Sequence, residues 1–367
     1  MGRTFNPMAL RLQRHALTPR MGTTVVDIAQ RVLALRGWPA DLADLAICVR
    51  QADPKPGALH DALQRGEVIR SYAFRGGSYV FTHDIAATLL TVRTATRIWE
   101  KPRWQQQGRF AIDDWEPVRD AICAALASGP RTRREIGDHL ARIPALRHLE
   151  QAASGTGADS LYKPLHWWGD ICFGPTREGQ ATFQLLRGDP RWSELPSVDD
   201  AGRSAVLLYL RAYGPATLDN LRYWHTEGLG VPRLLLTRWL TDLGDSVSSL
   251  LVDGCETLVL TEDLDAFRAS EASDAVVLVP GYDPWVLGPG TADPRIIAPE
   301  RRANATRGAH LVIRNGFVTG TWRERQNSID IAWFSEAGPP PMDALKAAVQ
   351  PLARIRAEDL ELTVTSA

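Results

Sequence analysis

Apolar residues recur at helical spacing through Val25, Ile28, Val32 and Leu35, and the run stops at Gly37, a residue suited to the position just past a helix end. Pro39 then fits the first turn of a new helix, where its missing N–H leaves no bond unmade. Asp41 falls in that same turn, where exposed N–H groups and the helix dipole favour a carboxylate. The same periodicity predicts helices over 9–17, 23–35, 40–51 and 59–65, with the breaker Asp53-Pro54-Lys55-Pro56-Gly57 ahead of the last. Two β-rich runs follow, 67–75 and 78–81, on either side of Gly76-Gly77; together they predict a hairpin. Three helices and a hairpin make a winged helix, with Arg70 and Arg75 placed on its strands.

The grammar returns twice. A helix over 115–127 leads into Ser128-Gly129-Pro130-Arg131-Thr132-Arg133, and one over 200–213 leads into Gly214-Pro215-Ala216-Thr217. Each threonine can cap the next helix, and Thr132 has Glu135 three residues on, a capping box. Strand pairs close both units: 170–175 with 181–185 around Arg177-Glu178-Gly179, and 247–252 with 256–260 around Asp253-Gly254. A repeated supersecondary unit is the strongest architectural signal in the chain. Beyond it, 275–279 reads as a buried strand entering Pro280-Gly281-Tyr282-Asp283, 309–314 and 317–322 as a hairpin at Asn315-Gly316, 341–357 as a helix and 360–364 as a last strand. The expected fold is α+β: tandem winged-helix domains over 1–112, 113–195 and 196–272, followed by a β-rich module over 273–367.

Composition narrows the class. At 44% hydrophobic and 23% charged residues, the chain has the make-up of a globular protein, and no apolar run approaches the roughly 20 residues that span a bilayer. Met1–Phe5 shows no apolar core or cleavage pattern, so a secretory leader is not expected. Cys48, Cys123, Cys172 and Cys255 form no C-x-x-C, which argues against a disulfide framework and a zinc site. A cytoplasmic protein without metal or cofactor is expected. The net charge of −1 hides an asymmetry: residues 1–150 hold 22 Lys+Arg against 15 Asp+Glu, and the remainder 20 against 28. Any polyanion surface therefore belongs to the N-terminal part, where Arg3, Arg11, Arg14 and Arg20 open the chain. No P-loop, G-x-G-x-x-G or H-E-x-x-H is present, and the eight histidines show no ligand spacing. The Trp-rich segment 99–115 could stack on nucleic acid, but a packed connector is the plainer reading.

Six segments, taken in order, resemble the AlkZ-type winged-helix DNA glycosylases of bacteria. They are Leu10-Arg11-Leu12-Gln13-Arg14, Ile69-Arg70-Ser71-Tyr72-Ala73-Phe74-Arg75, Ser128-Gly129-Pro130-Arg131-Thr132-Arg133, Ile171-Cys172-Phe173-Gly174-Pro175, Val279-Pro280-Gly281-Tyr282-Asp283, and Asn315-Gly316-Phe317-Val318-Thr319-Gly320-Thr321-Trp322-Arg323. The resemblance implies a monofunctional DNA glycosylase that removes N7-alkylated purines or unhooks interstrand crosslinks, in self-resistance to a genotoxic natural product. It also implies duplex DNA as partner, association with the nucleoid when bound to it, and action as a monomer without a cofactor. The family's catalytic signature is Gln, an apolar residue, then Gln or Asp. Here it reads Pro39-Ala40-Asp41, so the resemblance gives the catalytic role to Asp41 and puts a proline at the first glutamine. Tyr79 likewise stands where the family has a histidine. Gln51-Ala52-Asp53 matches the signature literally but sits at a helix end before the proline-rich loop, and Asp44 is a second, weaker carboxylate candidate. DNA contacts are expected from Arg14, Arg70, Arg75, Tyr79, Arg131 and Arg133. The chemistry suits one carboxylate: a cationic N7-alkylpurine leaves readily, and the positive charge that builds on the deoxyribose needs an anion beside it. On residue chemistry alone Asp41 is a helix cap. Two other readings stay open: a non-catalytic DNA-binding protein of the same fold, and a transcription regulator, which would need a dimerisation helix.

Overall fold

Paired left-handed residues close the hairpins that the turn signals predict. In the computed structural model of the chain, which describes residues 6–192, 194–271 and 274–367, Glu178-Gly179, Asp253-Gly254 and Asn315-Gly316 all have positive φ at both positions, the turn that matches strand twist. Arg3, Met1–Phe5 and the expected boundary at 272/273 lie outside the described residues. The chain forms two compact units, each assembled from separated segments: Met1–Ala62, Val206–Trp224 and Leu240–Ala367 in one, Leu63–Ala205 and His225–Trp239 in the other.

The first unit is built on a five-stranded sheet in the order Glu361–Ser366, Ser328–Trp333, Phe317–Arg325, His310–Arg314, Val276–Val279. All neighbours are antiparallel except the first two, which run parallel. A parallel neighbour needs a long crossover, and the helix Met342–Arg356 supplies it, burying Leu345, Ala348, Val349 and Leu352. Met8, Leu12 and Leu17 from the N-terminal stretch and Val49 share this core with the sheet. The strand Ser328–Trp333 was not among the predicted elements, although its burial alternates residue by residue. Several boundaries differ from the predicted ones. The helix expected over 9–17 is Pro7–Arg14, begun by an Asn6 cap. That expected over 23–35 ends at Val32, because Leu33 takes a positive φ (64°, ψ −46°) in a tight turn that Ala34 N–H closes onto Val32 O at 2.7 Å, and Leu35–Arg36 is extended. The helix expected over 40–51 is Ala40–Cys48. Beyond its end, Arg50 makes a fully buried bidentate ion pair with Asp283, at 2.7 and 2.9 Å. It thereby fixes the end of the helix to the segment that opens the short helix Pro284–Leu287.

In the second unit five antiparallel strands follow the order Ser78–Phe81, Ile69–Tyr72, Ile171–Phe173, Thr182–Leu185, Arg131–Thr132. The predicted hairpin is present with one correction. Arg75 is not on a strand but is the first residue of the turn (φ 49°), followed by Gly76 (φ 74°). The Thr132–Glu135 capping box forms as predicted. Helix His83–Thr94, absent from the prediction, is apolar on nearly every side and so lacks an amphipathic stripe. The Trp-rich segment is packed: Trp99 and Trp115 each meet Trp168 edge-on at 5.1 Å, and Trp104 lies against Trp167 at 5.9 Å.

Candidate active site

The site grows from the first turn of the Ala40–Cys48 helix. Pro39 is its N-cap residue and offers no side-chain cap, and Asp41, the second helical residue, is exposed. Its carboxylate accepts no hydrogen bond from its own turn and has no ion-pair partner among the described residues. A capping role would have occupied those oxygens. They open instead onto a cavity of about 260 Å³, also lined by Asp44, Cys48, His310, Trp322, Glu324 and Arg356.

Every other acid in this cavity is engaged. Asp44 accepts from the N–H groups of Gly57 (2.8 Å) and Leu59 (3.1 Å), so it closes the Pro-rich loop and starts the next helix. Glu324 pairs with Arg356 at 2.7 Å. The Cys48 thiol is pushed up to about 12 by burial and by the Asp44 charge, which leaves it protonated and inert as a nucleophile. No lysine lines the cavity.

His310 begins the strand beside these groups. Its ring lies 4.3 Å from that of Trp322 at 33°, and Trp322 is itself anchored by its indole N–H to Val279 O at 3.0 Å. Gly281 N–H donates to His310 Nδ1 (3.3 Å). Burial lowers the His310 pKa below its ordinary 6.5, against the opposing pull of the Glu324 and Asp41 charges, so the ring is neutral near pH 7. Sequence spacing missed His310, Glu324 and Arg356, because strands and a helix more than two hundred residues downstream bring them to Asp41. The loop that holds His310 is tightly specified. A Cβ on Gly281 would come within 2.0 Å of Gly308 O. The next residue, Tyr282, is left-handed (φ 62°), with its ring under the Arg36 guanidinium at 4.6 Å. Strain of this kind in a non-glycine residue concentrates at functional sites.

The residues expected to touch DNA fall into two groups. Arg14 belongs to the first unit, where it pairs with Asp263 at 2.6 Å and donates to Arg211 O. The other five belong to the second. Arg70 lies over the Phe173 ring at 4.8 Å. Arg75 reaches Glu227 at 3.5 Å with both side chains more than half exposed. Arg131 donates to Ser128 and Ala125 O, and Arg133 pairs with Asp159 and bonds the Tyr72 hydroxyl. Tyr79 is buried, its ring packed on Phe74 and Phe81.

A family model described as DNA glycosylase AlkZ-like matches residues 29–355, a span that includes the Asp41 turn, the Gly281-Tyr282 loop and the His310 strand. The chain belongs to the AlkZ-like DNA glycosylase family. A curated relative, the interstrand DNA cross-link repair glycosylase of Streptomyces sahachiroi, is 27% identical over 353 residues, covering 94% of each chain. Among solved structures, that of Streptomyces sahachiroi DNA glycosylase AlkZ superposes with a TM-score of 0.92 at 26% identity, covering 98% of each chain. The expected α+β fold is therefore that of an AlkZ-like glycosylase, and DNA is its substrate class. No helix among the described residues is long and apolar enough to cross a membrane.

Proposed function

We propose that this AlkZ-like chain hydrolyses the N-glycosidic bond of N7-alkylated purines in duplex DNA, including a purine held in an interstrand crosslink, with Asp41 as the carboxylate at the sugar. The observation that carries this reading is a contrast within one cavity: Asp44 and Glu324 are bound to partners, while Asp41 keeps both oxygens open. The Streptomyces relative, an interstrand DNA cross-link repair glycosylase by name, supports the crosslinked substrate. Alkylation at N7 makes the base cationic, so its departure needs no general acid. Positive charge then collects at C1′ of the deoxyribose, where a fixed anion stabilises it and accepts a proton from attacking water. Because the lining offers no lysine amine to attack the sugar, water is the nucleophile and the enzyme is monofunctional. Arg70, Arg75, Arg131 and Arg133 are the side chains of the second unit that we assign to phosphate.

A second reading rests on Pro39, whose ring cannot replace the amide of the family's first glutamine: a DNA-binding protein that has lost the chemistry. One experiment separates the two. Purified protein is incubated with duplex DNA treated with a methylating agent, and with crosslinked duplex, and free base or separated strands are measured. Release at a rate above the spontaneous one establishes the glycosylase, whereas tight binding without release leaves the binding protein.

A further inference from the structure

We propose that His310 is a positioning residue for the reaction, holding the attacking water beside Asp41 through its Nε2–H. The inference rests on the glycosylase reading above and adds a named partner to its single carboxylate.

A carboxylate alone can accept a proton from water, but a second contact is needed to aim the water's lone pair at C1′. Residue 39 is proline and offers none. The polar groups of the cavity are few, and most are committed. Asp44 serves the Gly57 and Leu59 N–H groups, Glu324 and Arg356 hold each other, the Trp322 N–H goes to Val279 O, and the Cys48 thiol lies 3.8 Å from Asp44. What remains is Asp41 and Nε2 of His310, which has no hydrogen-bond partner among the described residues.

The proton on that nitrogen is specified by the fold. Gly281 N–H points at Nδ1, so Nδ1 must present its lone pair, and a neutral imidazole then carries its hydrogen on Nε2. Contact with the anchored Trp322 ring holds the imidazole plane. The depressed pKa of His310 keeps this tautomer at neutral pH. In the step itself, the water oxygen accepts from Nε2–H with one lone pair and attacks C1′ with the other. The C1′–N9 bond breaks with its electron pair passing to the cationic base, which leaves neutral. One water proton passes to Asp41 and then to solvent, and His310 ends as it began.

The test uses the whole protein and a duplex carrying N7-methylguanine, with single-turnover base release, duplex affinity and melting temperature measured for wild type, His310→Ala and His310→Gln. His310→Ala is expected to slow release about 100-fold, the scale of deleting one oriented hydrogen-bond donor, with affinity and melting temperature unchanged. His310→Gln places an amide N–H near the Nε2 position and is expected to recover most of the rate. Wild type is also expected to lose rate on acidification below the ordinary histidine value, as a second ring proton breaks the Gly281 contact. That limb should be missing in His310→Gln, whose remaining charged neighbours are Asp41, Asp44, Glu324 and Arg356. His310→Ala as fast as wild type overturns the proposal while leaving the glycosylase intact. Equal slowing in both variants with a shared fall in melting temperature also overturns it, because it marks a structural role. A wild type that releases no base removes the glycosylase reading and this one together.

Discussion

A carboxylate in the first turn of a helix ordinarily accepts from that turn's N–H groups, and Asp41 does not. The difference makes Asp41→Asn a clean probe, because no native hydrogen bond is removed and the shape is kept. Melting temperature and duplex affinity are expected to stay at wild-type values while base release falls by about two to three orders of magnitude, the loss that follows removal of one electrostatic group. Single-turnover release from N7-methylated duplex measures it, and a variant as fast as wild type would exclude Asp41 from the chemistry. Asp44→Asn should behave in the opposite sense. Its carboxylate holds two backbone N–H groups, so thermal unfolding, followed by circular dichroism, should show a destabilisation of about 1 kcal/mol with little effect on the chemical step. One helical turn separates the two aspartates, yet one keeps its oxygens open to the cavity and the other holds the loop.

At the scale of elements, the placement of the Asp41 helix depends on the Arg50–Asp283 pair, both partners fully buried. Arg50→Met or Asp283→Leu alone leaves an unpaired charge in the interior and is expected to cost about 3–5 kcal/mol, whereas the double variant should lose much less than the two added together. Urea unfolding of the four proteins closes that cycle. Their pairing does not show in the sequence, where 233 positions separate them. What the sequence did disclose was local. Turn pairs such as Asn315-Gly316, the Thr132–Glu135 box and the Asp41 turn each carry their signal within a few residues. The features it hid depend on distant partners or on uniform burial. His310 reaches the cavity through contacts with Gly281 and Trp322, the His83–Thr94 helix is too evenly apolar to show a face, and Tyr79, expected at DNA, is buried with its ring against Phe74 and Phe81. Arg75 was placed on a strand because Gly76-Gly77 looked like the turn; the left-handed pair in fact begins one residue earlier.

For the whole molecule, acid should act on both units. His15 in the first and His166 in the second are fully buried; desolvation is the main cause that depresses each, His15 well below its ordinary value and His166 to about 3. Above about pH 6.5 each is neutral whether folded or unfolded. As pH falls below that value the unfolded chain takes up protons that the folded sites refuse, so stability declines between about 6.5 and 3. Urea midpoints measured from pH 7 to pH 4 should fall, and His166→Gln should flatten the slope. The segmented make-up of the first unit also has a meaning in time. On the ribosome, all of the second unit's residues are made once Trp239 is added, while the first unit still lacks every strand of its sheet, since the earliest begins at Val276. Met8, Leu12 and Leu17 must wait, apolar and uncovered, through more than 250 further residues for the core they join. The nascent N-terminal segment is therefore where a chaperone would be held longest, and the Asp41 helix can take its final place only after Asp283 has been made.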